Sequence, residues 1–208
     1  MTDSTQIRVT GLRQAVTRVL PHVTGTIGLD GMLLDFDGEH LYAVASDLQT
    51  MAIGRASARE SAESWSAFVD RHEVAFLANF VNAVGYDDEV ELDLWRTDDD
   101  EALWVTAEHR QGIVNACTAA AFLDWRKVVR EHLTRPLTAE PIELDPALMH
   151  RWTVFDEPVF VRRCGQKNVI VVTAPGFLGL QKGNCWGTSS DTSLDSWLDA
   201  VADNRKAA

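Results

Sequence analysis

Positive charge is scarce in this chain. Its 208 residues hold 19 Lys and Arg against 31 Asp and Glu, a formal net charge of −12. That balance argues against a protein coated in phosphate-binding residues, because such contacts need a basic footprint, and it makes the placement of each cation matter. Cysteine is sparse too: Cys117, Cys164 and Cys185 are an odd, widely spread set with no CxxC pair, which excludes a disulfide framework and a thiolate metal cluster. The longest apolar runs, such as 169–174, are far too short for a bilayer, and MTDSTQIRVT has no basic-then-apolar leader pattern, so a cytoplasmic protein without membrane contact is expected. HExxH, GxSxG and a glycine-rich phosphate loop are all missing, so no enzyme, catalytic residue or cofactor is expected. Asp87-Asp88 and Asp98-Asp99-Asp100 are acidic enough to attract a divalent ion, but such turns are far more often solvated hairpin tips, and no metal site is assigned.

What is present is an ordinary globular composition, 46% hydrophobic and 24% charged, arranged as a repeat. A unit of strand, helix and three strands recurs. The first has a strand over 7–9, a helix over 11–20 with Leu12, Ala15, Val16 and Val19 on one face, and a meander over 32–55. After a Ser/Ala/Glu-rich linker at 56–64, the second has a strand over 65–69, a helix over 71–84 closed by Gly85, and strands around Val90, Leu92 and Leu94, over 103–107 and over 112–116. A segment at 122–133 then connects to a third unit. There a strand at 141–144 precedes a helix over 146–155, with Asp145 as N-cap and Pro146 at its first position, and strands over 158–162, 169–174 and 177–180. No fourth unit follows, only a Ser/Thr/Gly-rich stretch and a short amphipathic helix built on Leu194, Trp197, Leu198 and Val201.

Two phrases carry a family likeness. GMLLDFDGEHLYAVASDLQTMAIGRA (31–56) contains the turn Asp37-Gly38 and the corner Ala45-Ser46-Asp47, and AFLDWRKVV (121–129) follows it. Together and in this order they resemble the bacterial β sliding clamp family, where phrases of the form GxLFE-x-(D/E)G-x-L-x-xVATD-x-x-RLA and FPDYRxV are typical. The resemblance implies an α+β DNA clamp fold. One domain of that family is two such units about a pseudo-twofold axis, and a subunit has three domains. Residues 1–133 therefore resemble the middle domain and 134–184 the second half of the last one, with 185–208 a tail. A lone half-domain leaves a sheet edge and an apolar helix face open. Two half-domains from two chains can form one composite domain across a twofold axis, and a homodimer of that kind is expected. The alternative is that the helix around Trp197 covers the surface.

The resemblance also implies two kinds of site. Clamp helices line a hole and touch double-stranded DNA without reading bases, which nominates Arg13 and Arg18, Arg71 and His72, and His150 and Arg151; the connector adds Arg126, Lys127, Arg130, His132 and Arg135. A pocket between the middle and last domains takes short peptides of polymerases and loaders, and its positions map to Ser46, Leu48, Thr50, Met51, Leu123, Lys127, Val128, Leu178 and Leu180. Here Leu48, Gln49 and Thr50 replace the family's Gly, His and Arg, and Leu123 replaces Pro. Leu at 48 either fills that groove or lines it, and plain core is the preferred reading of Met51, Val128 and Leu180. Asp47 reads as structural. Ser193 to Leu198 resembles the Leu/Phe-ended peptides that clamps capture, without their usual Gln; a packed terminal helix is the preferred reading. The leading functional expectation is a phage-sized clamp-like replication accessory that tethers partners to DNA by self-association. The rival is a clamp-derived decoy or regulator of a host clamp, loader or polymerase that does not encircle DNA.

Overall fold

The computed structural model describes residues 3–26, 29–59, 62–85, 88–96, 101–118, 122–136, 144–164 and 169–183. Unit one comprises β1 (Asp3–Thr10), α1 (Leu12–Val19), β2 (Gly31–Phe36), β3 (His40–Ser46) and β4 (Thr50–Ala58). Unit two comprises β5 (Trp65–Asp70), α2 (Arg71–Asn82), β6 (Glu89–Arg96), β7 (Glu101–Ala107) and β8 (Arg110–Thr118). The connector forms α3 (Trp125–Leu133). Unit three follows as α4 (Pro146–Met149), a 3-10 turn at His150–Trp152, and strands β9 (Phe160–Cys164), β10 (Val169–Ala174) and β11 (Phe177–Lys182).

The first two units exchange their leading strands. β1 leaves its own unit to pair antiparallel with β6, from Asp3 opposite Arg96 to Thr10 opposite Glu89, and β5 pairs with β2 from Gly31 opposite Asp70 to Phe36 opposite Trp65. Short pairings of β1 with β4 (Val9 opposite Ala58) and of β5 with β8 (Phe68 opposite Cys117) close these eight strands into a circuit. Unit three joins through β11, which lies beside β4 from Phe177 opposite Gly54 to Gln181 opposite Thr50, so one sheet runs on through β10 to β9.

Period-two alternation sorts side chains to the two faces of this sheet. Met32, Leu34, Phe36, Leu41, Ala43, Ala52 and Ala56 face inward with Leu12, Val16 and Val19 of α1 and Val74, Leu77 and Val81 of α2, forming the main core. Leu33, Val44, Met51, Ile53, Val169, Val171 and Leu180 face the other way, where Trp125 of α3 covers them. The connector helix and the two unit helices therefore sit on opposite faces.

Element boundaries differ from expectation at instructive places. α2 stops at Asn82 because the N–H of Ala83 already donates to the carbonyls of Phe80 and Val81, tightening the turn. Gly85 is not the left-handed cap expected of it; its N–H donates to the Asp88 carboxylate at 2.5 Å. The third helix is one turn plus a 3-10 turn, since Thr153 donates both its hydroxyl (2.8 Å) and its N–H (3.2 Å) to the His150 carbonyl and ends it there. β4 runs on to Ala58, three residues into the expected linker, and β9 begins two residues after Pro158, which has no N–H for a ladder. The expected strand at 141–144 apart from Leu144, the acidic turn at 97–100 and the tail helix lie outside the described residues.

One glycine sets the spacing of this fold. A Cβ on Gly54 would lie 2.3 Å from the Ala15 carbonyl oxygen, so α1 rests backbone to backbone on β4. Gly54→Ala is expected to destabilise the protein by about 2–3 kcal/mol through forced separation of helix and strand. Urea unfolding would measure it; an unchanged midpoint would show that the helix can move away freely.

Candidate functional site

The corner between β3 and β4 is built by one carboxylate. Asp47 Oδ1 accepts from the N–H of Gln49 (3.0 Å), the N–H of Thr50 (2.7 Å) and the Thr50 hydroxyl (3.0 Å), an Asx-type turn. Its Oδ2 accepts from the Arg151 guanidinium at 2.5 Å, and Arg151 also donates to Thr50 Oγ1 at 2.7 Å. Burial alone would raise the Asp47 pKa; the Thr50 N–H and Arg151 outweigh it and hold the carboxyl below its ordinary value.

Behind the corner lies fully buried His22, with Nδ1 3.0 Å from Thr50 Oγ1 and its ring centroid 4.5 Å from that of Trp152. Because the Thr50 hydroxyl proton goes to Asp47, His22 Nδ1 carries the hydrogen and donates. Burial first, and the Arg151 charge second, push the His22 pKa down from 6.5 to about 3. Trp152 in turn donates to fully buried Gln181 at 2.5 Å. Unit three is thus locked to unit one by a polar seam, which the Lys182 N–H closes onto the Gln49 carbonyl at 2.8 Å.

The corner, the connector and unit three together enclose a groove of about 300 Å³. Ser46, Leu48, Gln49, Thr50 and Met51 form one wall, Leu123, Val128 and His132 another, and Val169, Leu180 and Lys182 the third. Asp124 caps α3 by accepting from the Lys127 N–H at 3.0 Å. Trp125 pins the helix by donating to Asp35 at 2.8 Å, and Arg126 pairs with the same carboxylate while stacking over the Trp125 and Tyr42 rings. Leu48 is the odd wall residue. It is 59% exposed and holds φ at +70°, a left-handed conformation that suits the Gly of the resembling family. Its side chain stands at the rim and does not fill the groove.

Seven of the nine peptide-site candidates, Ser46, Leu48, Thr50, Met51, Leu123, Val128 and Leu180, line this one groove. Leu178 does not. It lies two residues along β11, opposite Ile53, and lines a separate cavity of about 270 Å³ with Tyr42, Arg55 and Trp125, on the other side of α3. Lys127 is exposed beside the groove without lining it. Gln49, His132, Val169 and Lys182 join the wall; Val169 is reached only through the β4–β11–β10 register, which no local pattern reveals.

The DNA candidates do not share a surface. Arg18 is 6% exposed, pairs with Glu157, donates to the Pro175 carbonyl at 2.6 Å and lies over Phe155, so it holds unit three to α1 and cannot reach a phosphate. Arg151 is committed to Asp47 in the same structural way. Arg13 is half-buried and donates to the Val84 carbonyl at 2.9 Å. Arg71 and His72 are exposed at the start of α2, and His150 is exposed on the 3-10 turn. Arg126, Lys127, Arg130 and Arg135 all belong to the connector, across the sheet from α1 and α2. Among the described residues no His, Cys, Asp and Glu side chains cluster as a metal site, and no helix is long and apolar enough to cross a membrane.

The exchange of strands between units, with helices on one face and a connector on the other, defines a DNA clamp fold. In particular, the fold is that of the bacterial β sliding clamps. A DNA polymerase III β subunit from Thermotoga maritima superposes with a TM-score of 0.65 at 13% identity, over 89% of this chain and 66% of that one. A sliding clamp from Pseudomonas aeruginosa, in a structure with griselimycin bound, gives 0.63 at 14% identity over 91% and 67%. One from Bacillus subtilis gives 0.66 at 10% over 97% and 73%. The chain thus spans about two thirds of the length of the clamps it matches. No sequence family and no curated protein matches it.

Two measurements probe this site. The folded protein refuses a proton on His22 that the unfolded chain accepts between pH 6.5 and about 3. Stability is therefore complete above pH 6.5 and falls with acidification, by about 2 kcal/mol at pH 5. Denaturant unfolding at pH 7 and pH 5 should show this loss in wild type and not in His22→Asn, which keeps a donor toward Thr50; equal losses would place the titration elsewhere. Leu48→Gly, by relieving the left-handed strain, is expected to raise stability by about 1 kcal/mol. A thermal midpoint that drops instead would mean that Leu48 packs in the folded state.

Proposed function

We propose that this chain is a sliding-clamp-like accessory protein of DNA replication that acts by capturing short peptide segments of its partners, such as a polymerase, a clamp loader or a host clamp. The groove between the β3–β4 corner, the connector and β11 carries this reading. Its floor is apolar through Met51, Val169 and Leu180, and Lys182 and His132 line it while exposed Lys127 stands beside it. Such a surface suits a peptide with an apolar end and neighbouring acidic residues. The strained, exposed Leu48 supports the same view, because strain retained at a groove rim is commonly tied to recognition.

Topological tethering around DNA receives less support. Every residue of α1 is buried or half-buried, and the helix side offers Arg13, Arg71 and His72 against exposed Asp156 and half-buried Glu157. Two phosphate contacts change affinity only about 10-fold between 50 and 200 mM salt, whereas six to ten change it by about 10³–10⁵. Partner capture without encirclement is the reading favoured.

A fluorescein-labelled short peptide ending in Asp-Leu-Phe is expected to bind with micromolar affinity in a polarisation assay. Leu123→Ser, at a half-buried wall position, should weaken it by about 10-fold. The same preparation should leave a labelled 30-base-pair duplex free at physiological salt. Peptide binding that is indifferent to Leu123, or tight duplex binding with a steep salt slope, would reverse the assignment.

A further inference from the structure

The cavity that holds Leu178 lies across α3 from the groove, on the same face of the sheet. It encloses about 270 Å³ between β3, β4, α3 and the turn from β10 to β11. Tyr42 and Arg55, directly opposed on β3 and β4, both line it, and half-buried Val129, Ala174 and Leu178 supply apolar wall. Trp125, with its ring centroid 5.1 Å from that of Tyr42, completes an aromatic corner. These walls are held in place without a ligand. Trp125 donates to Asp35 at 2.8 Å, and Arg126 pairs with that carboxylate while lying over both rings. The Tyr42 hydroxyl is bonded to Asp37. The Arg55 N–H donates to the Gly176 carbonyl at 2.8 Å, which ties β4 to the turn. Walls ordered in advance lower the cost of binding.

Charge singles this cavity out. Arg55 is the one charged residue in its lining, it is exposed, and among the described residues its side chain has no acidic partner. The carboxylates around Tyr42 are engaged elsewhere: Asp35 with Trp125 and Arg126, and Asp37 with the N–H groups of Glu39 (2.9 Å) and His40 (2.8 Å) as well as with Tyr42. In a chain of net charge −12, one guanidinium is thus left beside an aromatic cavity with no carboxylate of its own. Size narrows the occupant. Pockets that engulf small molecules run to about 300–1,000 Å³, so this smaller one is suited to gripping a single large side chain.

We propose that this cavity is a second docking site, independent of the groove, which takes a large aromatic side chain of a partner protein with an acidic residue beside it. The ring packs among Tyr42, Trp125 and Leu178, and the neighbouring carboxylate meets the Arg55 guanidinium, whose planar fork matches it bidentately. Because cavity and groove share one face with α3 between them, a partner that engages both binds its second anchor intramolecularly and gains avidity without any new contact.

An NMR titration of the isotope-labelled full chain with an acetylated Gly-Asp-Trp-Asp-Gly peptide tests this directly. Saturable shifts are expected at Val129, Gly176 and the Trp125 indole, with a dissociation constant of about 100 micromolar for a single anchored side chain. Arg55→Gln, at an exposed position that leaves the fold intact, should weaken binding about 10-fold, as should Asn in place of both peptide Asp residues. Ala in place of the peptide Trp should abolish it. The Asp-Leu-Phe peptide should shift the corner from Leu48 to Met51 equally in wild type and Arg55→Gln, so a failure of the groove and a failure of this cavity are seen separately. Shifts confined to that corner, no shifts at millimolar peptide, or binding indifferent to Arg55 would overturn the proposal. Tighter binding of free indoleacetate than of the peptide would overturn it too, by making the cavity a small-molecule site.

Discussion

The backbone contact between α1 and β4 is the constraint on which the other parts depend. β4 pairs with β3 and β11 along its length and with β1 at its end, so it belongs to the closed circuit and to the extension at once. A strand in that position is covered on both faces. Its inward residues Ala52, Gly54 and Ala56 are small, which lets the helix come so close that a Cβ at Gly54 would lie 2.3 Å from the Ala15 carbonyl oxygen. Its outward residues Met51 and Ile53 are large and supply floor to the two cavities flanking α3. One nine-residue strand therefore sets the helix distance on one side and the groove on the other.

The polar seam beneath the corner does a different job. Asp47 and Arg151 have only 9% and 20% of their side chains exposed, and removing one partner of such a buried pair costs about 3–5 kcal/mol because the other charge is stranded. The pair joins unit three to unit one at the point where the groove wall turns. With His22, Thr50, Trp152 and Gln181 aligned behind it, this seam holds Lys182 beside Gln49, and so keeps the third wall of the groove in register.

Architecture was more legible in the sequence than chemistry. Alternation in GMLLDF and HLYAVAS, and helical spacing at Leu12, Val16 and Val19, located both sheet faces and the inner helix, because burial alone dictates those patterns. Seven groove residues were found because they lie close to a recognisable corner and connector. The misassigned cations failed for a common reason: a sequence shows that Arg18 and Arg151 are charged and not that Glu157 and Asp47 await them 139 and 104 residues away. Leu178 failed by register, since α3 passes between it and Leu180. The helix ends at Asn82 and Trp152 were set by carbonyls captured locally, at Phe80 and His150, which propensity does not reveal.

Where the cations sit also separates the two functional readings. A chain at −12 repels acidic ligands at long range, but the field of exposed charges decays within about 10 Å at 0.1 M salt, so only local positive groups act at contact. On the helix side those groups are few and partly neutralised. On the connector side Lys127 and Arg130 are exposed, and His132 and Lys182 line the apolar groove itself. That groove takes its walls from unit one, the connector and unit three, and none from unit two, whose strands close the circuit. Unit three is thus no remnant at the edge of the fold: without β10 and β11 the corner and the connector would face each other across open solvent, and there would be no groove.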